Sequence, residues 1–279
     1  MADLMNIVRP NVRNIGGGGN LNNELILIQK DDVVLPLPVR DEATGVITAD
    51  IQMKAGKKMH TVYTTERTME PTFTKQEGSN MDCFGYEVSL LGFHPGLEAS
   101  ILQFLDVHGD FRGFVVFRSV RPDGTEVRYL LGESYNPVSL SAAEFSWGKT
   151  GNEDRGTKIT FKGTQNGPYA IYEGALMLQE DVVVAADATA IAYAGEAKYV
   201  LTAGTTAQAT IAGISGMKHG EVIHIEGAAG EKPAKIAADE VFILKDSADF
   251  VASAGAWIAL KAFSVGSNKM QFIEQSRGK

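Results

Sequence analysis

The chain has 279 residues, of which 44% are hydrophobic and 22% are charged, and this globular composition comes in a chain long enough for two domains. The formal net charge of −8 argues against a protein whose whole surface binds nucleic acid by neutralising phosphates. No apolar run has the length of a membrane span, and residues 1–6 lack the basic start of a secretory signal, so we expect neither membrane contact nor a signal peptide.

The first 23 residues contain four consecutive glycines, Gly16–Gly19, followed by Asn20, Asn22 and Asn23. Glycine and asparagine permit many backbone conformations and favour neither helix nor strand. A phosphate-binding loop is the alternative interpretation of the glycine run, but no Gly-Lys-Ser or Gly-Lys-Thr sequence follows it. We predict an N-terminal arm or a flexible loop over residues 1–23.

Strand signals follow the arm. The apolar run 25–28 and the run 33–35 predict a strand or hairpin, and the second run ends at two prolines that cannot donate ladder hydrogen bonds. Residues 45–51 and 57–64 are further β-like stretches. These short segments, separated by turn residues, indicate a β-rich N-terminal region.

One helix signal stands out. Pro95 suits a first helical turn, Gly109 suits the end of a helix, and apolar residues recur at helical spacing between them: Leu97, Ile101, Leu102 and Leu105. We predict a helix over about 95–107 that packs on a sheet.

Two apolar stretches after the helix, 113–120 and 125–131, flank a polar Arg-Pro-Asp-Gly connection. Asp-Gly in a short connection predicts a β-hairpin. The order of strand, helix and hairpin therefore indicates an α+β domain in which antiparallel sheet dominates.

The segment from Arg128 to Gly174 continues as strands separated by polar, glycine-bearing turns. Apolar and polar residues alternate from Thr157 to Lys162, which is the period of a half-buried strand with Ile159 and Phe161 on one face. A turn cluster at 148–152 precedes this strand.

The composition changes near residues 179–181, and the remainder of the chain is rich in alanine and glycine. Six short strand signals follow one another there, at 199–201, 209–211, 221–225, 241–244, 257–260 and 270–273. We predict a second, all-β module over residues 180–279, after a first domain over residues 1–179.

No set of residues predicts catalysis, a cofactor or a metal. The five histidines, which lack the helical zinc-pair spacing, are His60, His94, His108, His219 and His224. We expect them at the surface or in structural hydrogen bonds, with His94 just before the helix at its free backbone groups. The single cysteine, Cys83, cannot form an intrachain disulfide and reads as a buried packing residue.

Two other kinds of side chain suggest sugar or base chemistry in principle. Three carboxylate pairs are adjacent in sequence and would point to opposite faces of a strand: Asp31–Asp32, Glu180–Asp181 and Asp239–Glu240. Aromatic residues could form a stacking surface, although core and subunit-interface packing is the interpretation we prefer: Tyr129, Tyr135, Phe145, Trp147, Phe161, Tyr169, Tyr172 and Trp257.

Residues 128–174 resemble the major tail (tail tube) proteins of long-tailed bacteriophages. The resemblance lies in a strand ending Leu-Leu-Gly, a Pro-Val-Ser-Leu step, a charged Asp-Arg-Gly excursion, an Ile-Thr-Phe strand and a final Tyr-Glu-Gly. It covers about the first two thirds of the chain. It implies an antiparallel β-sandwich or barrel with one flanking helix, joined edge to edge in hexameric rings. It also implies that arm 1–23, region 40–60 and excursion 147–156 bridge subunits, with 180–279 appended outside the tube.

From these observations we predict a structural virion protein and not an enzyme. Its rings would stack into a tail tube that contacts other tail proteins and conducts DNA without sequence-specific binding, and the chain would be made in the host cytoplasm. A capsid decoration or tail-completion protein is the alternative within the same class. A carbohydrate-binding or glycan-cleaving β-protein is the alternative from another class, and it requires a concave aromatic site with converging carboxylates.

Overall fold

The computed structural model describes residues 21–77, 84–120, 125–148, 150, 154–266 and 269–278. The strands of the N-terminal part (residues 21–178) are β1 (Leu21–Gln29), β2 (Val46–Ile47), β3 (His60–Tyr63), β4 (Glu70–Glu77), β5 (Phe84–Pro95), β6 (Arg112–Val120), β7 (Glu126–Leu131), β8 (Val138–Ser146), β9 (Gly156–Gln165) and β10 (Ala170–Tyr172). Helix α1 spans Ala99–His108.

The strands of the C-terminal part (residues 180–278) are β11 (Val182–Val184), β12 (Ala190–Ala192), β13 (Lys198–Leu201), β14 (Thr210–Ile211), β15 (Gly213–Ser215), β16 (Val222–Gly227), β17 (Lys235–Ile236), β18 (Phe242–Ile243), β19 (Phe250–Val251), β20 (Trp257–Ser264) and β21 (Met270–Gly278). Short 3₁₀ turns span Lys30–Asp32 and Lys245–Ser247. The predicted mainly-β fold is confirmed.

The N-terminal strands form one sheet that folds over on itself. Strand β6 pairs with β1 on one side and β7 on the other, while its first residues pair with β8, which continues to β9, β5 and β4. Strands β1 and β5 are far apart in the order of the sheet, yet both contribute to the same core, as do β6 and β9. Two layers of the sheet therefore pack face to face.

Side chains of the central strands alternate between two cores. Leu25 and Leu27 of β1 face the core between the two layers, whereas Ile26 and Ile28 face a second core. The second core is closed by residues of the segments that precede β3 and follow β10: Val33, Leu37, Ile47, Ile51, Met53, Met59, Leu176 and Met177. Much of the 40–60 region, a candidate subunit bridge by resemblance, thus covers the chain's own sheet.

The hairpin and the alternating strand are found as predicted. Strands β6 and β7 pair antiparallel, although their connection 121–124 lies outside the described residues. In β9, Ile159 and Phe161 are fully buried while Lys158 and Lys162 are exposed. The two-residue period of the sequence therefore follows the pleat of a strand with one face in the core.

The predicted start of the helix is wrong. Helix α1 begins at Ala99, because β5 extends through Pro95, which pairs with Gly156 of β9. Proline is compatible with the end of a strand as well as with a first helical turn, since both use its fixed φ. The end is as predicted, with Gly109 following the last helical residue, and Ile101 anchors the helix in the core.

All six predicted C-terminal strand positions contain strands. Five belong to the six-stranded sheet and one to the three-stranded sheet, and both sheets share one core with the β12–β15 pair. Five of the strand pairs are parallel, among them β11 with β13 and β13 with β16. In β16, Ile223 and Ile225 point into this core, whereas Val222 and His224 face the other way. The division into domains at residue 179 stays a prediction, although no sheet contains strands of both parts among the described residues.

Candidate assembly surface

Two groups of large apolar side chains on the N-terminal part are exposed to solvent. The first, which we call the loop patch, consists of Val34, Leu35, Val39 and Tyr135, and the last two are 87% and 80% exposed. The N–H of Leu37 donates to the Ser134 hydroxyl at 2.9 Å, which joins the two loops that carry the patch. Burying such side chains in an interface would remove apolar surface from water.

A groove of about 400 Å³ lies beside the loop patch. Its apolar wall is formed by residues of one loop and of three strands: Leu37, Pro38, Ile47, Leu130 and Ala170. The Glu133 carboxylate accepts the N–H groups of Asn166 and Gly167 at 3.0 Å and thereby fixes the loop at one rim. The groove is therefore shaped by backbone contacts within the chain.

The second group, the hairpin patch, lies near the end of the β8–β9 hairpin. It consists of Phe145 and Trp147, which are 47% and 70% exposed. The guanidinium carbon of Arg155 lies 5.4 Å from the centroid of the Trp147 ring, and the Ser146 hydroxyl donates to the carbonyl of Asp154 at 2.9 Å. Lys149 and residues 151–153 of the predicted excursion lie outside the described residues.

The sheet also ends in strands that have one partner each. Among the described residues, β4 pairs with β5 alone and β2 with β10 alone. Strand β4 is anchored from inside, because Phe73 stacks on Tyr86 with ring centroids 4.7 Å apart and meets Tyr169 edge-on at 5.2 Å. A rigidly held edge strand is a template for pairing with another chain.

The aromatic residues named from the sequence are divided among three environments. Phe161 and Tyr172 are fully buried in the two cores. Tyr129 and Tyr169 pack edge-on at 5.2 Å and close one end of the sandwich, and Trp257 stacks on a buried histidine. Tyr135, Phe145 and Trp147 are the most exposed residues of that set, and they are the aromatic members of the two patches.

The histidines have separate environments. His94 contacts the carbonyl of Tyr63 through Nδ1 at 2.9 Å, so the predicted role at the helix start is wrong, because the helix begins later. His219 accepts the N–H of Ser264 at 3.2 Å. Burial, together with the positive charge of Lys58, lowers the pKa of His60. Within the described residues, no group of three or more His, Cys, Asp or Glu side chains could hold a metal; Cys83 lies outside them.

The three carboxylate pairs have structural partners in the chain. Asp32 pairs with Lys57 at 2.9 Å, and Asp181 pairs with Lys198 at 3.2 Å. Asp239 accepts the N–H groups of two following residues, as a turn-forming aspartate does.

Sequence reasoning did not single out the loop patch. A signal was present, because Val33–Val39 is an apolar run interrupted by Pro36 and Pro38. Two prolines at that spacing exclude a central strand, so their apolar neighbours belong to a loop that lies at the surface.

Comparison with known proteins gives little. No family model matches the chain, and no curated protein matches it. Among solved structures the chain is similar to one described as "Tail of empty GTA particle computed with helical refinement, C6 symmetry", at 13% identity, over 56% of this chain and 97% of that chain, with a TM-score of 0.22. A likeness at that TM-score carries no argument here. Among the described residues, no helix is long and apolar enough to cross a membrane.

Proposed function

We propose that the chain is a structural, non-enzymatic subunit of a tail tube of the long-tailed bacteriophage type. Its copies form six-membered rings that stack into a tube, contact other tail proteins and conduct DNA without reading its sequence. The virion tail is its final location, and the host cytoplasm is where it is made. The resemblance of residues 128–174 suggests this function, and the exposed apolar patches of the N-terminal part carry the structural argument for self-association.

The patches favour association because their side chains make few contacts within the chain. Val39, Tyr135 and Trp147 are each at least 70% exposed, so burying them costs no intrachain packing and removes apolar area from water at about 25 cal/mol per Å². A ring requires two different surfaces on each copy, because a head-to-tail contact must be repeated around the axis. The loop patch and the hairpin patch are two such surfaces.

The net charge of the chain favours a subunit that lets DNA pass over one that binds DNA tightly. A net charge of −8 disfavours binding of DNA over the surface as a whole, because non-specific affinity comes mainly from the counterions that are released when basic groups neutralise phosphates. DNA would therefore pass through a lumen without being held.

Sedimentation velocity and negative-stain microscopy of the full chain test the proposal. Wild-type protein at high concentration should form rings or tubes. Val39→Asp and Trp147→Ala should each reduce assembly, because each removes an apolar contact, while the thermal midpoint stays within about 2 °C of wild type since surface changes cost little.

Val183→Asp is the matched control. Val183 is 70% exposed on the C-terminal part, so this variant should assemble as wild type does. A wild-type chain that stays monomeric over a wide range of concentration and salt contradicts the proposal, and so does normal assembly of both patch variants.

A further inference from the structure

A buried acid–base contact joins the two parts of the chain. The Nδ1 atom of His224 on β16 is hydrogen-bonded to an Oδ2 atom of Asp50, and neither side chain has any solvent exposure. Asp50 lies before the buried Ile51 in the segment that covers the N-terminal sheet. The two residues are 174 positions apart in sequence.

The carboxylate of Asp50 is held in place by its own part of the chain. Its Oδ1 atom accepts the N–H of Ala175 at 2.8 Å. The Tyr172 hydroxyl donates to the Ala175 carbonyl at 2.8 Å and accepts the N–H of Ile51 at 3.1 Å. Burial raises the pKa of Tyr172, so this hydroxyl stays a neutral donor. Asp50 therefore presents Oδ2 in a fixed direction.

His224 is equally constrained by the C-terminal part. Its ring stacks on Trp257, with centroids 5.5 Å apart and planes at 23°. Its neighbours Ile223 and Ile225 point into the C-terminal core, so the strand cannot rotate to give the imidazole another partner. The buried Nε2 atom has no hydrogen-bond partner among the described residues. Within those residues, the imidazole of His224 is therefore hydrogen-bonded through Nδ1 to Asp50 and through no other ring atom.

The charged groups around the histidine are engaged with one another. The Lys198 ammonium, on the strand paired with β16, contacts Asp181 and Glu226 at 3.2 Å each. On the other neighbouring strand, Lys261 lies 3.9 Å from Glu173. Because these groups pair among themselves, the Asp50 carboxylate is left as the partner of the imidazole.

The other contacts between the two parts include a backbone hydrogen bond, in which the N–H of Leu178 donates to the carbonyl of Glu196 at 2.8 Å. A small apolar cluster joins Ala175 to Val222, Ala259 and Trp257. The Arg118 side chain, which is 11% exposed, lies 3.3 Å from that of Glu196, which is 33% exposed. Lys58 and Glu180, 3.9 Å apart, are both exposed, and exposed pairs contribute little. Removing one partner of a buried pair, in contrast, leaves a desolvated polar group without compensation.

We propose that Asp50 and His224 are the positioning pair that fixes how the C-terminal part sits on the N-terminal part and couples their unfolding. One arrangement of the two parts lets the Asp50 carboxylate and the imidazole of His224 bond to each other, because contacts within each part hold its own side chain in a fixed direction. Other placements of the C-terminal part would leave the carboxylate or the imidazole buried without its partner. This inference is independent of the tail-tube proposal, because it concerns coupling within one chain.

Calorimetry and amide hydrogen exchange on the full chain test the pair. Wild type should unfold in one transition. Asp50→Leu keeps a similar shape but removes both acceptor oxygens, and His224→Phe keeps the ring but removes the donor. Each should split unfolding into two transitions and speed exchange of the Ala175 amide by about tenfold or more. In a double-mutant cycle the two effects should be strongly non-additive.

Tyr199→Phe is the matched control, because the Tyr199 hydroxyl is bonded entirely within the C-terminal part, to Ala194 and Gly195. It should lower the midpoint while unfolding stays a single transition and exchange at Ala175 is unchanged. Should either pair variant fail to fold, the NMR spectrum of wild type decides: a slowly exchanging, downfield Nδ1 proton of His224 supports the pair. Its absence overturns the proposal, as do two transitions in wild type, or single transitions with additive effects in the variants.

Discussion

The two parts of the chain are both β-rich, but they are built differently. The N-terminal part has strands of up to 12 residues, such as β5, in a sheet that is almost entirely antiparallel. The C-terminal part has many strands of two to four residues, and most of its pairs are parallel. Four large apolar side chains among the described residues are at least 70% exposed: Val39, Tyr135 and Trp147 on the N-terminal part, and Val183 on the C-terminal part. Most of the exposed apolar surface that could serve as an interface therefore lies on the part with the long antiparallel strands.

The largest losses of stability should come from substitutions that leave a cavity in the hydrophobic core of either part. Phe161 in the N-terminal core and Phe242 in the C-terminal core are both fully buried, so each change to alanine should cost about 3–5 kcal/mol of unfolding free energy. We expect the Phe161→Ala chain to lose assembly, whereas the Phe242→Ala chain should still form rings or tubes in microscopy. Equal loss of assembly in both variants would mean that the C-terminal part contributes to the contacts between subunits.

A second comparison uses glycines on strands. A side chain at Gly113 of β6 would collide with the carbonyl oxygen of Ile28 on the neighbouring strand, whereas the space around Gly213 of β15 is open. Gly113→Ala should therefore destabilise by about 1–3 kcal/mol, and Gly213→Ala should have a small effect, as measured by denaturant unfolding. If the two variants were equally stable, β1 and β6 would lie farther apart at Gly113 than the structure shows.

The sequence predicted the elements of this architecture better than their arrangement. Alternation identified β9 and short apolar runs identified the C-terminal strands, because both patterns are local. The same patterns carry no information on strand direction, so the parallel pairs of the C-terminal part were not predicted. The sequence places Pro95 in the helix, because the fixed φ of proline fits a first helical turn as well as a strand end. In the structure Pro95 pairs with Gly156 of β9 and therefore belongs to β5.

The candidate surfaces were predicted in part. The resemblance led to the 147–156 excursion, which includes Trp147, but not to the loop patch or to Asp50 and His224. Contacts between residues 174 positions apart leave no periodic signal, since each residue looks like an ordinary polar position in its own segment. An isolated buried pair therefore becomes visible only when the fold brings its members together.

Aromatic packing gives a smaller effect and a finer comparison. Tyr169 meets Phe73 and Tyr129 edge-on at 5.2 Å each, whereas the ring contact of Tyr193 within the described part of the chain is its stack on Tyr199 at 5.9 Å. Tyr169→Ala should lower stability by about 2 kcal/mol, because more than one aromatic pair is lost, and Tyr193→Ala should cost about half as much. Amide hydrogen exchange in β4 should become faster in Tyr169→Ala and stay unchanged in Tyr193→Ala. Faster exchange in both variants would mean that the contact with Tyr169 is not what holds β4 in place.

The smallest effect concerns the partly buried ion pair of Glu274 and Arg277 on β21. Burial acts to raise the pKa of Glu274, but hydrogen bonds from the Arg277 guanidinium, with Nε at 2.6 Å, and from the Lys245 N–H at 2.8 Å outweigh it and hold that pKa below its ordinary value. A carboxylate whose pKa is lower in the folded state stabilises the fold above its unfolded pKa and loses that contribution as the pH falls through the folded value.

Glu274→Gln should therefore destabilise the chain by about 1 kcal/mol at pH 7, and the difference from wild type should shrink as the pH is lowered below about 4, the ordinary range of a glutamate pKa. Denaturant unfolding of both proteins at a series of pH values measures this. Glu240→Gln is the control, because Glu240 is exposed and a change at an exposed position should leave the stability close to that of wild type. A stability difference that stays constant down to pH 3 would show that Glu274 acts through packing and not through its charge.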